Sequence, residues 1–133
     1  MIGGASGVVL LMAMLRARVG SGSDVAVRYL SSARSFGDVI YQLELDLLAA
    51  EHDGIEVLHT LTRTHPPDWV GPTRRVDREM LAERVWPVGE SPLCFVCGPT
   101  EFVETVATTL VELGHAPNRV KTERFGPTGG GRR

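Results

Sequence analysis

Two hydrophobic periods take turns along this chain, and that alternation constrains the fold more than any single motif. Val25-Ala26-Val27-Arg28-Tyr29-Leu30 is short and β-branched and stops at Ser31-Ser32, as a strand does. Ile55 to Thr62 repeats the pattern, and Leu93-Cys94-Phe95-Val96-Cys97 is almost wholly apolar, as the middle of a parallel sheet requires. Arg119 to Phe125 makes a last strand. Helical segments stand between them. Residues 8 to 18 carry apolar groups on nearly every side up to Arg16 and Arg18, as a helix covered by a sheet would. Residues 38 to 51 space Ile40, Leu43, Leu47 and Leu48 three or four apart, with Glu44, Asp46 and Glu51 between them, which predicts an amphipathic helix. A shorter helix is expected from Arg78 to about Arg84, and another from Glu101 to Leu113, with Thr100 as its N-cap and Gly114 at its close. Strictly alternating strands and helices call for right-handed crossovers and a doubly wound sheet. The expected fold is therefore α/β in three layers, with a mostly parallel five-stranded sheet. Its first strand is cut short, because only Met1 and Ile2 precede the glycine turn.

Composition removes several classes of partner. A chain of 133 residues fits one domain, expected over 1–126, with a flexible tail at 127–133 that ends in Gly129-Gly130-Gly131-Arg132-Arg133. A formal net charge of -2 offers no basic excess for nucleic acid. The longest apolar run, Val8 to Leu15, falls far short of the roughly 20 residues of a membrane-spanning helix, and no positive residue precedes it. The expectation is a cytoplasmic protein without a membrane partner. Two cysteines suit a reducing compartment better than a disulfide scaffold.

In doubly wound sheets ligands sit at the carboxyl ends of the strands, and the informative clusters of this sequence fall there. Gly4-Ala5-Ser6-Gly7 runs straight into a helix, where backbone N–H groups and the helix dipole meet a phosphate. It lacks the Gly-Lys-Ser/Thr ending of a Walker A loop, and a tight structural corner is the plain alternative. After the next strand stands Ser32-Ala33-Arg34-Ser35, where a fold that prefers NAD has an acid against the ribose. A hydroxyl and a guanidinium suit a 2′-phosphate, with Arg63 as a second cation, although solvated polar residues at a strand end would look the same. Cys94 and Cys97 are three apart on a strand, so their sulfurs point to opposite faces and do not share a metal or a bridge. Cys97 is the one near a ligand, and Cys94 is core packing. His52, His59, His65 and His115 form no ligand pattern and read as structural or surface residues. The segment from His65 to Asp77, with Pro66, Pro67, Gly71 and Pro72, is a candidate functional loop.

In order along the chain, these segments resemble the NAD(P)-binding domain of the ferredoxin–NADP reductase superfamily. The first turn of that family, Gly-Gly-Thr/Ser-Gly-Ile-Thr-Pro, is matched by Gly4-Ala5-Ser6-Gly7-Val8-Val9-Leu10, with Ala5 for a glycine and Leu10 for the proline. Its Ser-x-Arg is matched by Ser32 and Arg34, its Cys-Gly-Pro by Cys97-Gly98-Pro99, and its closing acid and aromatic by Glu123 and Phe125. The resemblance implies a Rossmann-like domain that takes part in hydride transfer between NAD(P)H and a flavin. Gly4, Ser6, Gly7 and Val8 would hold the pyrophosphate, and Ser32 and Arg34 the 2′-phosphate, with Thr62 and Arg63 beside them. Cys97, Gly98 and Pro99 would line the nicotinamide pocket. Glu123 and Phe125 would face the flavin, which makes Cys97 and Glu123 the catalytic pair. The implied cofactors are NADP, with NAD possible, and FAD or FMN carried by another domain or chain, since family members have an N-terminal flavin-binding barrel that is not found in this sequence. The competing expectations are a non-catalytic nucleotide-binding fragment and a protein-interaction module that displays Phe125 and Trp69.

Overall fold

The computed structural model describes residues 1–125. Five parallel strands, β1 (Ile2–Gly4), β2 (Val27–Ala33), β3 (Ile55–Leu61), β4 (Cys94–Pro99) and β5 (Val120–Phe125), form one sheet in the order β3-β2-β1-β4-β5. The helices α1 (Val8–Gly20), α2 (Gln42–Glu51), α3 (Arg78–Arg84) and α4 (Thr100–Glu112) connect them. Each face of the sheet carries its own core. Tyr29, Leu11, Met12, Leu15 and Leu45 pack on the side of α1 and α2. Leu30, Val96, Met80, Leu81, Val103, Val106 and Leu110 pack on the side of α3 and α4. The expected three-layer α/β architecture is present, and its first strand has three residues. The expected boundary at 126 and the tail 127–133 lie outside the described residues.

Four local expectations need correction. The second strand starts at Val27 and runs through Ser31 and Ser32 to Ala33. Serines tolerate the strand interior here because the Ser31 hydroxyl pairs with His59 of β3, and Ser32 lies level with Gly4 of β1. The second helix begins only at Gln42, after a 3-10 turn at Phe36–Asp38 and a left-handed Tyr41 at φ 65°. It turns Leu45 inward and leaves Leu43 and Leu47 at 75% and 61% exposure. The ion pair of Arg16 on α1 with Glu44, 2.7 Å, fits that orientation. On α1 a single stripe, Val8, Leu11, Met12 and Leu15, is buried, while Val9 and Leu10 face out. Thr100 is the first residue of α4, with Pro99 in the cap position.

Candidate functional site

The chain leaves β1 toward β2 on one side and returns to β4 on the other, so the crevice of the sheet opens beyond the carboxyl ends of β1 and β4. Two glycines let the walls of that crevice meet. A Cβ on Gly7 would stand 2.4 Å from the Cys97 backbone carbon and carbonyl oxygen, and one on Gly98 would stand 3.0 Å from the Gly4 carbonyl oxygen. Backbone therefore lies directly on backbone, and the 3-10 turn Ala5–Gly7 leads into the N-terminus of α1. The first N–H groups of a helix lack intrahelical partners, which makes this corner an acceptor of negative charge. Ser6 is exposed there, whereas the Val8 side chain is buried in the core and its backbone N–H donates to the Ser6 carbonyl. Ala5 holds φ 49°, the left-handed region that costs a residue with a Cβ about 1 kcal/mol or more.

From this turn a cavity of about 400 Å³ extends over the ends of β2 and β3, with walls that include Gly4, Ser6, Ser32, Arg34, Asp38 and Thr62. Gly4 and Ser32 are level in the parallel register, which sets the serine hydroxyl beside the turn. The N–H groups of Arg63 and Thr64 both donate to the Arg34 carbonyl at 3.0 Å, tying the loops after β2 and β3 together. Arg63 thus lies on the adjoining loop, outside the cavity wall. Among the described residues neither Arg34 nor Arg63 has a carboxylate partner, unlike Arg16, Arg28, Arg74, Arg78 and Arg124. Behind Ser32, the Ser31 hydroxyl and His59 Nδ1 are 2.5 Å apart, and burial holds the His59 imidazole below its ordinary pKa.

Across the crevice, register places Cys97 level with Glu123 and Pro99 level with Phe125. Burial, reinforced by the charge of Glu123, raises the Cys97 pKa, so the group is a neutral thiol at pH 7. Phe125 is 39% exposed at the end of β5. Cys94 packs in the opposite core from Cys97, as their spacing requires, and the described residues contain no cluster of three potential metal ligands. Sequence reasoning thus named two groups of residues that the fold brings to one edge of the sheet. It missed Asp38, Ile40 and Phe102, which also line the cavity. Phe102 carries a sequence signal only in hindsight, because its ring fills the space beside Gly4 and Gly98 where a side chain would otherwise go.

The proline-rich segment between β3 and α3 is pinned. Leu61 N–H and Trp69 Nε1 both donate to the Pro72 carbonyl, at 3.2 and 3.1 Å, and the Thr60 hydroxyl donates to the Arg74 carbonyl. Trp69 is half-buried with its ring edge against Phe36, centroids 6.0 Å apart, and is not the exposed aromatic that an interaction module would display. No helix among the described residues is long and apolar enough to cross a membrane.

The family model described as oxidoreductase NAD-binding domain matches residues 1–108. The glycine betaine monooxygenase reductase subunit of Pseudomonas aeruginosa is 31% identical over 129 residues, covering 96% of this chain and 35% of the relative. NADH-cytochrome b5 reductase 3 of Rattus norvegicus is 29% identical over 124 residues, covering 92% of this chain and 41% of the relative. This chain therefore spans about two fifths or less of the length of these curated relatives. Among solved structures, flavohemoglobin from Malassezia yamatoensis with bound FAD and heme superposes with a TM-score of 0.79 at 27% identity, over 94% of this chain and 30% of that one.

Proposed function

Because this chain belongs to the oxidoreductase NAD-binding domain family, we propose that it is the NAD(P)H-binding component of a flavin-dependent oxidoreductase and presents the dinucleotide for hydride transfer to a flavin held by another domain or chain. The observation that carries this reading is the crevice between β1 and β4. A phosphate-accepting turn and a strand end carrying Cys97 are pressed together there by Gly7 and Gly98.

The dinucleotide would span both walls. Backbone N–H groups at Ser6 and Gly7 would take the pyrophosphate, with Gly4 and Val8 framing the turn. Ser32 and Arg34 would take the adenosine end, and the nicotinamide would lie against Cys97, Gly98 and Pro99. Arg34 and Arg63, without carboxylate partners, favour the 2′-phosphate and hence NADP over NAD. A flavin, when bound at the β5 edge, supplies the acceptor of two electrons and a hydrogen nucleus as NAD(P)H is oxidised. This chain makes and breaks no bond of its own in that step. It contributes a neutral, apolar thiol wall at Cys97, a carboxylate at Glu123, and an exposed ring at Phe125 for a flat partner. Cys97 and Glu123 are thus the residues closest to the chemistry. The two free thiols suit a cytoplasmic location.

The test is diaphorase activity. With NADPH, FAD and a flavin-barrel partner, the purified chain should reduce an artificial acceptor at a rate that depends on all three additions. NADPH binding without turnover, with every flavin source tried, leaves a nucleotide-binding module only. Failure to bind NADPH or NADH removes the reading altogether.

A further inference from the structure

We propose that Asp38 and Ile40 select the base of the nucleotide, making the outer end of the cavity a reader of adenine through its exocyclic amine. This inference rests on the function proposed above.

The cavity wall has an order. Gly4 and Ser6 stand at the phosphate turn, Ser32 is level with Gly4 in the sheet, and Arg34 follows two residues on at the end of the strand. Past Arg34 the chain makes a 3-10 turn, and the same wall continues with the carboxylate of Asp38 and the side chain of Ile40, which is 40% exposed. A dinucleotide whose pyrophosphate lies on the turn and whose ribose lies at Ser32 and Arg34 would bring its base toward these two residues. A purine needs a flat apolar contact for its face and polar partners for its edge. Ile40 offers the first, and Asp38 offers an acceptor.

Asp38 is already anchored for the task. Ser35 Oγ donates to its Oδ2 at 3.0 Å, which fixes the carboxylate on the turn and leaves Oδ1 without a hydrogen bond among the described residues. An ionised carboxylate only accepts. It therefore pairs with the amine of adenine and repels the carbonyl oxygen that hypoxanthine carries at the same place. A contact with the 2′-phosphate is excluded by charge, because two anions would then share the position. The carboxylate belongs beyond Arg34, on the base.

The experiment compares NADPH with deamino-NADPH, in which hypoxanthine replaces adenine and all else is unchanged, by calorimetric titration. The wild-type chain should bind NADPH about tenfold more tightly, the size of one charge-assisted hydrogen bond. Asp38→Asn keeps the acceptor for Ser35 but adds an amide donor. It should erase or invert the preference, with melting temperature confirming that the fold is kept. Equal affinity of the wild type for the two nucleotides overturns the inference and leaves the proposed function standing. So does a gain in NADPH affinity on Asp38→Asn that is equal for both bases, which would assign the carboxylate to phosphate repulsion. Binding of neither nucleotide overturns the function and this inference with it.

Discussion

Arg18, Arg28 and Arg119 at the amino end of the sheet are held differently from Arg34 and Arg63, which follow β2 and β3 at the carboxyl end. At the amino end, Arg28 bonds the Arg84 carbonyl, pairs with Glu56 and lies 4.4 Å over the Trp86 ring, while Arg18 and Arg119 donate to the carbonyls of Val25 and Ser91. At the carboxyl end, Arg34 and Arg63 stand exposed with no carboxylate among the described residues. The difference separates charge consumed by the fold from charge left free for the ligand of the proposed function. An arginine wrapped by its own chain closes a surface, whereas one left bare on a rigid strand end is preorganised for an anion. The same contrast appears in the backbone. The amino end closes through separate turns, with Gly22 and Ser91 at φ 72° and 48°, while the carboxyl end presses a turn and a strand together through Gly7 and Gly98.

The largest expected effect tests that backbone contact. Gly7→Ala drives a methyl into the Cys97–Gly98 peptide and should cost about 3 kcal/mol or more of unfolding free energy in urea. A cost below about 1 kcal/mol would mean that the two walls are not pressed together. Next comes the charge contrast itself. Arg34→Ala should weaken NADPH binding about ten- to 150-fold, the loss of one or two charged hydrogen bonds, and leave NADH binding and the melting temperature nearly unchanged. Arg28→Ala should do the reverse, costing about 1 kcal/mol of stability with NADPH affinity intact. If both substitutions acted on stability alone, the two ends would be alike. A smaller effect is expected at Ala5, where glycine relieves a left-handed backbone. Ala5→Gly should raise stability by up to about 1 kcal/mol, read as a higher urea midpoint.

The last test uses pH. Burial lowers the pKa of both His59, behind the carboxyl end, and His115, next to α4. The unfolded chain therefore binds these protons more readily than the folded one. The contribution of these two histidines should be complete above the ordinary imidazole value of about 6.5 and decline as pH falls below it, while the buried Met1 amino group, lowered to about 6, adds a decline that starts nearer pH 8. Melting curves from pH 8 to 5 should show this decline. His59→Gln and His115→Gln should each flatten it, and an unchanged slope would remove the histidine from the account.

Much of this was legible in residue order, because a sheet of this kind forces its chemistry to the strand ends. Ser32, Arg34 and Cys97 could be grouped before any contact was known, since each follows or closes an apolar run, whereas Glu123, in the mixed segment Arg119 to Phe125, was named only through the family resemblance. The opposed cysteines followed from strand geometry alone. What stayed hidden depended on rotation and register. Leu43 and Leu47 carry a helical spacing that suits burial, but the left-handed Tyr41 delays the helix and turns Leu45 to the sheet instead. Asp38 sits in what reads as the first turn of that helix, and only the 3-10 turn that replaces it swings the carboxylate into the cavity wall. The N-cap expected at Thr100 failed because strand β4 runs on to Pro99 and the helix starts at once.

The contact of Gly7 with Cys97 and Gly98 also fixes a length. With no side chain between them, the turn and the strand end meet backbone on backbone, and an opening between these points would break that contact. Under the proposed function, the dinucleotide would bend to fit, and its pyrophosphate linkage would take its conformation from the spacing of these two glycines.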